Sequence, residues 1–311
     1  MLIIDAHCDT ALSVYEDNGD LYENNYHLDI RRLLETGSRV QFFAAFVNPR
    51  TYMNNTLARV LSIIDVVYTA QEKYNDKIKV CHSASDIEKA ISEKRVAAIL
   101  SIEGGECLNG ELSVLRQLYR LGVRSMLLTW NYRNLLADGA EEVYGAGLSA
   151  FGRQVVAEMN RLGMIVDVSH LCEASFNDVL SLTTAPVIAS HSNSKFICDN
   201  ERNLTDAQLL QIKKNGGVVG LNFYPYFLNN TENANIEDVI RHIEHICSVT
   251  GEDHIGIGAD FDGIECTPSG LEGTQCVPEL FDRLLQLNYS SSFIEKLAGK
   301  NFMRVIEQIL K

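Results

Sequence analysis

Eight short apolar runs, each ending at a polar residue, constrain this chain more than any other feature. Leu2–Ala6 leads into His7, Val40–Val47 into Asn48, and Val96–Ile102 into Glu103. Ser125–Thr129 leads into Trp130 and Asn131, Met164–Ser169 into His170, and Val187–Ser190 into His191. Val218–Phe223 precedes Tyr224, and Ile255–Ala259 precedes Asp260. Runs this short, rich in β-branched residues and nearly continuous in hydrophobicity, read as strands buried on both faces of a parallel sheet. Between them the period is helical, over Leu57–Tyr74, Ala84–Ser92, Glu111–Leu121, Phe151–Leu162, Glu173–Leu180, Asp206–Lys214 and Ile236–Thr250. Thr205 and Gly163 are the expected cap and stop signals. Strand and helix alternating to a count of eight predict an α/β fold, a (β/α)8 TIM-type barrel, with residues 1–311 as one domain. A doubly wound open sheet competes, but it usually shows a glycine-rich phosphate turn after its first strand, and none follows here.

Active sites of such barrels sit at the C-terminal ends of the strands. Those ends here carry His7, Glu103, His170, His191 and Asp260, groups that bind metals and move protons. His7 and Asp9 are two residues apart, so an extended chain projects both side chains from one face. Together they offer a nitrogen and an oxygen to a divalent ion. His170 and His191 close consecutive strands and are expected side by side. A carboxylate can bridge two ions, so Glu103 between the two clusters predicts a binuclear centre that acidifies a water and polarises a scissile carbonyl. Mixed imidazole and carboxylate ligation suits zinc first, with manganese or cobalt as alternatives. Any one of these histidines alone would read as a satisfied structural residue; the set of five reads as a metal site.

Asp260, in ADFDG, is the candidate general acid or base, while Asp262 beside Gly263 reads as a turn residue. Arg202, in the loop after His191, is placed to clamp a substrate carboxylate. The His242–His245 pair has ligand-like spacing but no accompanying glutamate, and is expected on a solvated helix face. The formal charge of −14 argues against nucleic acid or an anionic membrane as partner. No run approaches a membrane span, and Met1 is followed at once by Leu-Ile-Ile-Asp without a basic, then apolar leader. The eight cysteines are scattered without a framework spacing, so reduced thiols and a cytoplasmic location are expected.

DAHCDT at the start, SIEGGE around Glu103, GLSAFGRQVVAEMNRLGMIVDVSH into His170, APVIASHSN at His191, RNLTD at Arg202, GLNFYP at Tyr224 and GIGADFDG at Asp260 resemble the membrane (renal) dipeptidase family of zinc peptidases along essentially the whole chain. The resemblance implies one zinc held by His7, Asp9 and Glu103 and a second held by Glu103, His170 and His191. It implies Asp260 as the catalytic acid/base and Arg202 as the grip on the free C-terminal carboxylate. The expected substrates are dipeptides, with a D-residue tolerated on the C-terminal side, and the expected assembly is a homodimer. The animal enzymes carry a histidine that contacts the substrate carbonyl where this chain has Trp130. An indole is a donor only, which leaves Asn131, Tyr224 or a metal ion at the substrate to stabilise the oxyanion. Two competing readings are an amidohydrolase-type barrel acting on another amide, ester or lactone, and a metal- or peptide-binding protein without turnover. The first often bridges its metals with a strand-end lysine, and none of the eight runs ends in one.

Overall fold

The computed structural model of the chain describes residues 1–37, 39–52 and 54–311. Its parallel sheet consists of β1 (Ile3–Asp5), β2 (Arg39–Phe46), β3 (Ile78–Val80), β4 (Val96–Glu103), β5 (Val123–Leu127), β6 (Ile165–Asp167), β7 (Ile188–Ala189), β8 (Val218–Leu221) and β9 (Ile255–Ile257). Eight of these close a ring in the order β2-β1-β9-β8-β7-β6-β5-β4, sealed by β2 against β4 from Val40↔Ala97 to Phe46↔Glu103. The fold is a (β/α)8 barrel of the TIM type. The strand that the sequence does not announce is β3. Ile-Lys-Val is too short to show a period, and it pairs only with Val96–Ala98 on the edge of β4 that β5 takes over from Leu100.

The seven helices read from the apolar period are present, with ends that follow capping chemistry, while Thr10–Asp17 and Ile30–Glu35 are helices that the sequence reading did not include. Thr205 and Gln208 form a reciprocal capping box at the start of Asp206–Asn215. Gly163, at φ 74°, ends Ala150–Leu162 in the left-handed conformation that glycine adopts without a Cβ penalty. Ile236–Thr250 and Ala84–Ser92 match their expected bounds. Beyond Thr250 the sequence reading offers no helix. The structure has Val277–Gln286, then Ser291–Glu295, a π turn Lys296–Lys300 and Asn301–Ile309.

Alternation along the strands divides the apolar core in two. Ala98, Leu100 and Ile102 of β4 join a layer with Val60 and Ile63, Leu115 and Val155 of the surrounding helices. Ala97 and Ile99 join a second layer with Ile4, Val40, Phe42, Ile165, Ile188 and Val218, together with Phe302, Val305, Ile306 and Ile309. That second layer is the floor of the barrel. Helix Asn301–Ile309 closes it, reaching the strand-entry loops through Arg304 Nη1 to the Gly216 carbonyl (2.6 Å) and Nη2 to the Asp253 carbonyl (2.7 Å). Above the floor β7, β8 and β9 approach so closely that side chains would not fit. A Cβ on Gly220 or Gly258 would lie 2.0 or 1.6 Å from the Ser190 carbonyl oxygen, so both positions require glycine.

The His242–His245 pair does not lie on a solvated face. His242 is fully buried, and its ring ties two loops above the barrel together. Nδ1 accepts from the Ser194 N–H (3.1 Å), which leaves the proton on Nε2 to donate to the Leu228 carbonyl (2.9 Å). Such a tautomer must stay neutral. Burial holds the His242 pKa down at about 4, against an ordinary 6.5. The unfolded chain takes up a proton below pH 6.5 that the fold refuses until about pH 4. Stability is therefore full above pH 6.5 and falls across that window, by up to roughly 3 kcal/mol from this group alone. Urea unfolding at pH 7 and pH 4.5 checks this; the His242→Gln protein, less stable at pH 7, should lose distinctly less between the two.

Candidate metal centre and substrate cleft

The polar ends of β1, β4, β6, β7 and β9 converge on one point at the barrel rim. After β1 the chain stays stitched on both sides. Cys8 N–H donates to the Phe42 carbonyl (3.1 Å) and Asp9 N–H to the Phe261 carbonyl (2.9 Å), so extended geometry continues and His7 and Asp9 share a face. Glu103 ends β4, a strand buried over all eight residues. One of its oxygens, Oε2, lies 3.3 Å from His7 Nε2, which is also 3.3 Å from Asp9 Oδ2. The other, Oε1, lies 2.9 Å from His170 Nε2 and 3.9 Å from His191 Nε2. Asp260 Oδ1 stands 3.7 Å from His7 Nε2. Three groupings bring ligand atoms within 4.8 Å of one another: His7 with Asp9 and Glu103, Glu103 with His170 and His191, and His7 with His191 and Asp260.

The outer partner of His170 aims its lone pair inward. His170 Nδ1 meets Asn131 Oδ1 at 2.5 Å, while Asn131 Nδ2 donates to Glu141 Oε1 at 2.8 Å. A carboxylate accepts only from the amide NH2, so Asn131 presents its carbonyl oxygen and His170 carries its proton on Nδ1. His170 Nε2 is then a bare acceptor set between His191 Nε2 at 2.8 Å and the Glu103 carboxylate at 2.9 Å, and the pair of acceptors it makes with Glu103 needs a proton or a cation between them. Burial, then the charges of Arg202 and His7, push the His170 pKa well down, so the proton does not reside there. Burial raises Glu103 to about 7. For His7, burial works downward, but the carboxylates of Glu103 and Asp9 overrule it and the net shift is well upward. Asp9 Oδ1 is buried without a hydrogen-bond partner. A buried cluster of carboxylates that recruits protons, leaves an oxygen orphaned and aims an imidazole lone pair at a carboxylate fits divalent cations.

The remaining candidates are placed as follows. Asn131, expected at the substrate, stands behind His170 with both ends of its amide engaged, so it orients the imidazole. Trp130 is half-buried beside the centre, its ring centroid 6.5 Å from His170, 5.1 Å from Phe46 and 5.3 Å from Tyr132. Arg202 is buried beneath a cleft of about 490 Å³ shared with His170, Cys172 and Lys195. Its Nη2 donates to the His191 carbonyl (3.1 Å), whereas its Nε is buried with no partner among the described residues. Burial lowers its pKa to about 10, which leaves it charged at neutral pH. Tyr224 packs against Phe227, whose ring lies 5.5 Å from the Arg202 guanidinium. Its phenol pKa is raised, by burial and then by a hydrogen bond to Glu265. Asp262 holds Thr10 Oγ1 (2.5 Å) and the His27 N–H (2.6 Å), the structural role expected of it.

One residue of this centre escapes the sequence reading. Asn222, fully buried, donates from Nδ2 to Asp260 Oδ2 (2.8 Å) and accepts at Oδ1 from the Tyr224 N–H (2.6 Å). Asn193 clamps its backbone from both sides. With Oδ2 so held, Oδ1 is the oxygen that Asp260 turns toward the metal centre. His170 and Asp260 both have positive φ, 69° and 63°, a conformation that costs a residue with a Cβ about 1 kcal/mol or more. Burial raises the Asp260 pKa.

A TIM-type barrel that gathers imidazoles and carboxylates at its C-terminal rim around a place for cations belongs to the class of barrel metallohydrolases. The sequence assigns it further: the chain belongs to the membrane dipeptidase family, peptidase family M19, whose model matches residues 1–311. It is thus a hydrolase of the peptidase kind. An uncharacterized dipeptidase of Schizosaccharomyces pombe is 38% identical over 300 residues, covering 90% of this chain and 71% of the relative. The crystal structure of a metallopeptidase from Rhodobacter sphaeroides, liganded with a phosphinate mimic of the dipeptide L-Ala-D-Ala, superposes with a TM-score of 0.92 at 28% identity over 99% of both chains. A second metallopeptidase of family M19, dipeptidase AC, superposes with a TM-score of 0.94 at 29% identity over 100% of this chain and 99% of its own.

If Asn131 fixes the His170 tautomer, Asn131→Ala should weaken divalent-cation binding by roughly tenfold to a hundredfold. Competition with a chromogenic chelator measures it, and unchanged binding would sink the assignment.

Proposed function

We propose that the protein is a dinuclear metallo-dipeptidase, with one divalent ion held by His7, Asp9 and Glu103 and the other by Glu103, His170 and His191. The observation that carries this reading is the division of labour within Glu103, whose Oε2 faces His7 and whose Oε1 faces His170. Zinc suits the mixed donor set best. Such a pair of ions, when bound, supplies an acidified water and a polarised carbonyl.

The chain's own groups account for the rest of the chemistry. Asp260 Oδ1 takes the proton of the attacking water and returns it to the leaving amine, while Asn222 keeps Oδ2 out of that exchange. Arg202 pairs with the free carboxylate of a dipeptide. Its buried, unpartnered Nε supports this, because a charged donor taken out of water calls for an anion. A longer peptide would place an amide where the carboxylate belongs, so the same residue restricts cleavage to dipeptides. Trp130, Phe46 and Tyr132 form an aromatic wall beside His170 that shields the reacting centre from water. The substrate class includes L-D dipeptides, a choice supported by the phosphinate mimic of L-Ala-D-Ala held by the relative from Rhodobacter sphaeroides.

Amino-acid release from a panel of L-L and L-D dipeptides should be abolished by chelation and restored by two equivalents of zinc per chain. Two bound ions without cleavage of any dipeptide would refute the reading. Arg202→Met should raise KM for dipeptides by about tenfold to a hundredfold with a smaller effect on kcat. Dipeptide amides, lacking the carboxylate, should be poor substrates for parent and variant alike.

A further inference from the structure

Two aspartates below the metal centre repeat one arrangement on opposite sides of the barrel. Asp5 is the last residue of β1 and pairs in register with Ile257 of β9. Its Oδ1 accepts the N–H of His7, two residues onward (3.3 Å), and the N–H of Ala259, two residues past Ile257 (2.9 Å). Asp167 is the last residue of β6 and pairs in register with Ile188 of β7. Its Oδ1 accepts the N–H of Ser169, two residues onward (3.0 Å), and the N–H of Ser190, two residues past Ile188 (3.1 Å). The sequence spacing, the register and the shared acceptor are the same in both. In the ring of eight, β1 and β6 lie four strands apart in either direction.

We infer that Asp5 and Asp167 are positioning residues, two copies of one carboxylate clip that fixes the strand ends bearing His7 and Asp260 on one side and His170 and His191 on the other. Both aspartates are buried, and neither is placed to reach a substrate. Each clip supplies a tie between neighbouring strand ends at the edge of the regular ladder: on the β1 side backbone bonds resume beyond it, from the Asp260 N–H to the His7 carbonyl (3.3 Å), while on the β6 side the His191 N–H turns to Ser169 Oγ (3.2 Å). A single oxygen that accepts from both strands holds their separation. Each clip also lies next to a strained residue. Ala259 precedes Asp260 and Ser169 precedes His170, the two members of the centre with positive φ. A strained backbone persists only where its surroundings over-determine it, and a clipped N–H one residue earlier does so. Outer groups of this kind decide how well a metal site is preformed.

The inference rests on the dinuclear reading, so its test begins by counting ions. The parent protein is titrated with zinc against a competing chelator, and two sites confirm that the reading is in place. A parent with fewer than two sites refutes that reading before the clips come into question. Given two sites, Asp167→Ala should weaken one of them at least tenfold and leave the other within threefold of the parent. Asp5→Ala should weaken the other site instead. Asn retains an acceptor oxygen at the clip and loses only the charge, so Asp167→Asn and Asp5→Asn should bind both ions within threefold of the parent. Asn variants as impaired as the Ala variants would overturn the inference, since charge and not position would then be the cause. Ala variants that fold, by circular dichroism of the metal-free protein, and bind both ions like the parent would overturn it equally. Should an Ala variant fail to fold, its Asn counterpart decides: a folded Asn protein that has lost tenfold in either site overturns the clip. As a second readout, kcat at saturating zinc should fall in the Ala variants while KM for the dipeptide changes little.

Discussion

The structure depends on where Glu103 stands. A carboxylate fully withdrawn from water between two groups of imidazoles is expensive to hold, and a small displacement would cost it one partner or the other. The barrel places it at the end of its best-anchored strand. β4 pairs with β2 along seven residues on one edge and with β3 and then β5 on the other, so its terminal residue has little freedom. β3, which contributes nothing to the ring, has its place in this scheme. It covers the first residues of β4 where β5 has not yet reached.

From that fixed point the rest of the centre follows as a set of strand ends with matched outer support. His170 leans on Asn131, Asp260 on Asn222, and the Arg202 guanidinium on the His191 carbonyl. Asn222 and His191 are buried and Asn131 half-buried, and both side-chain amides are engaged at each end, which makes such networks stiff. Among the described residues, Asp9 Oδ1, His7 Nδ1, Arg202 Nε, Asp5 Oδ2 and Asp167 Oδ2 are buried at or below the centre without a hydrogen-bond partner.

Much of this was legible in the residues alone, for a physical reason. A strand buried on both faces leaves a continuous apolar run, and a polar residue at its end stands out, so the eight ring strands and the groups at their tips could be read directly. The chain also resembled membrane dipeptidases over its whole length, and the family match bears that out. What remained hidden depended on packing between distant segments. Asn222 lies inside the run that was read as ending at Tyr224, and its tie to Asp260 spans 38 residues. The burial of His242 follows from two loops folding over it, which a helical period cannot foretell. Asn131 was read as facing substrate because it follows a strand end, but adjacency in sequence does not reveal which way an amide turns. β3 left too little pattern to detect, whereas Val277–Gln286 and Asn301–Ile309 carry a clear helical period, with Val277, Leu280, Phe281 and Leu284 and then Phe302, Val305, Ile306 and Ile309 buried, which the reading passed over once eight strands were counted.

The floor of the barrel sets an order on assembly. Ile4, Val40, Phe42 and Ile99 form its inner layer, yet the residues that shut this layer off from solvent, Phe302 to Leu310, emerge from the ribosome long after them. Without those residues the lower apolar layer of the ring would face solvent. The floor is therefore complete only with the helix of residues 301–309 in place and its Arg304 on the Gly216 and Asp253 carbonyls, so the last helix of the chain and its first strand close the same layer.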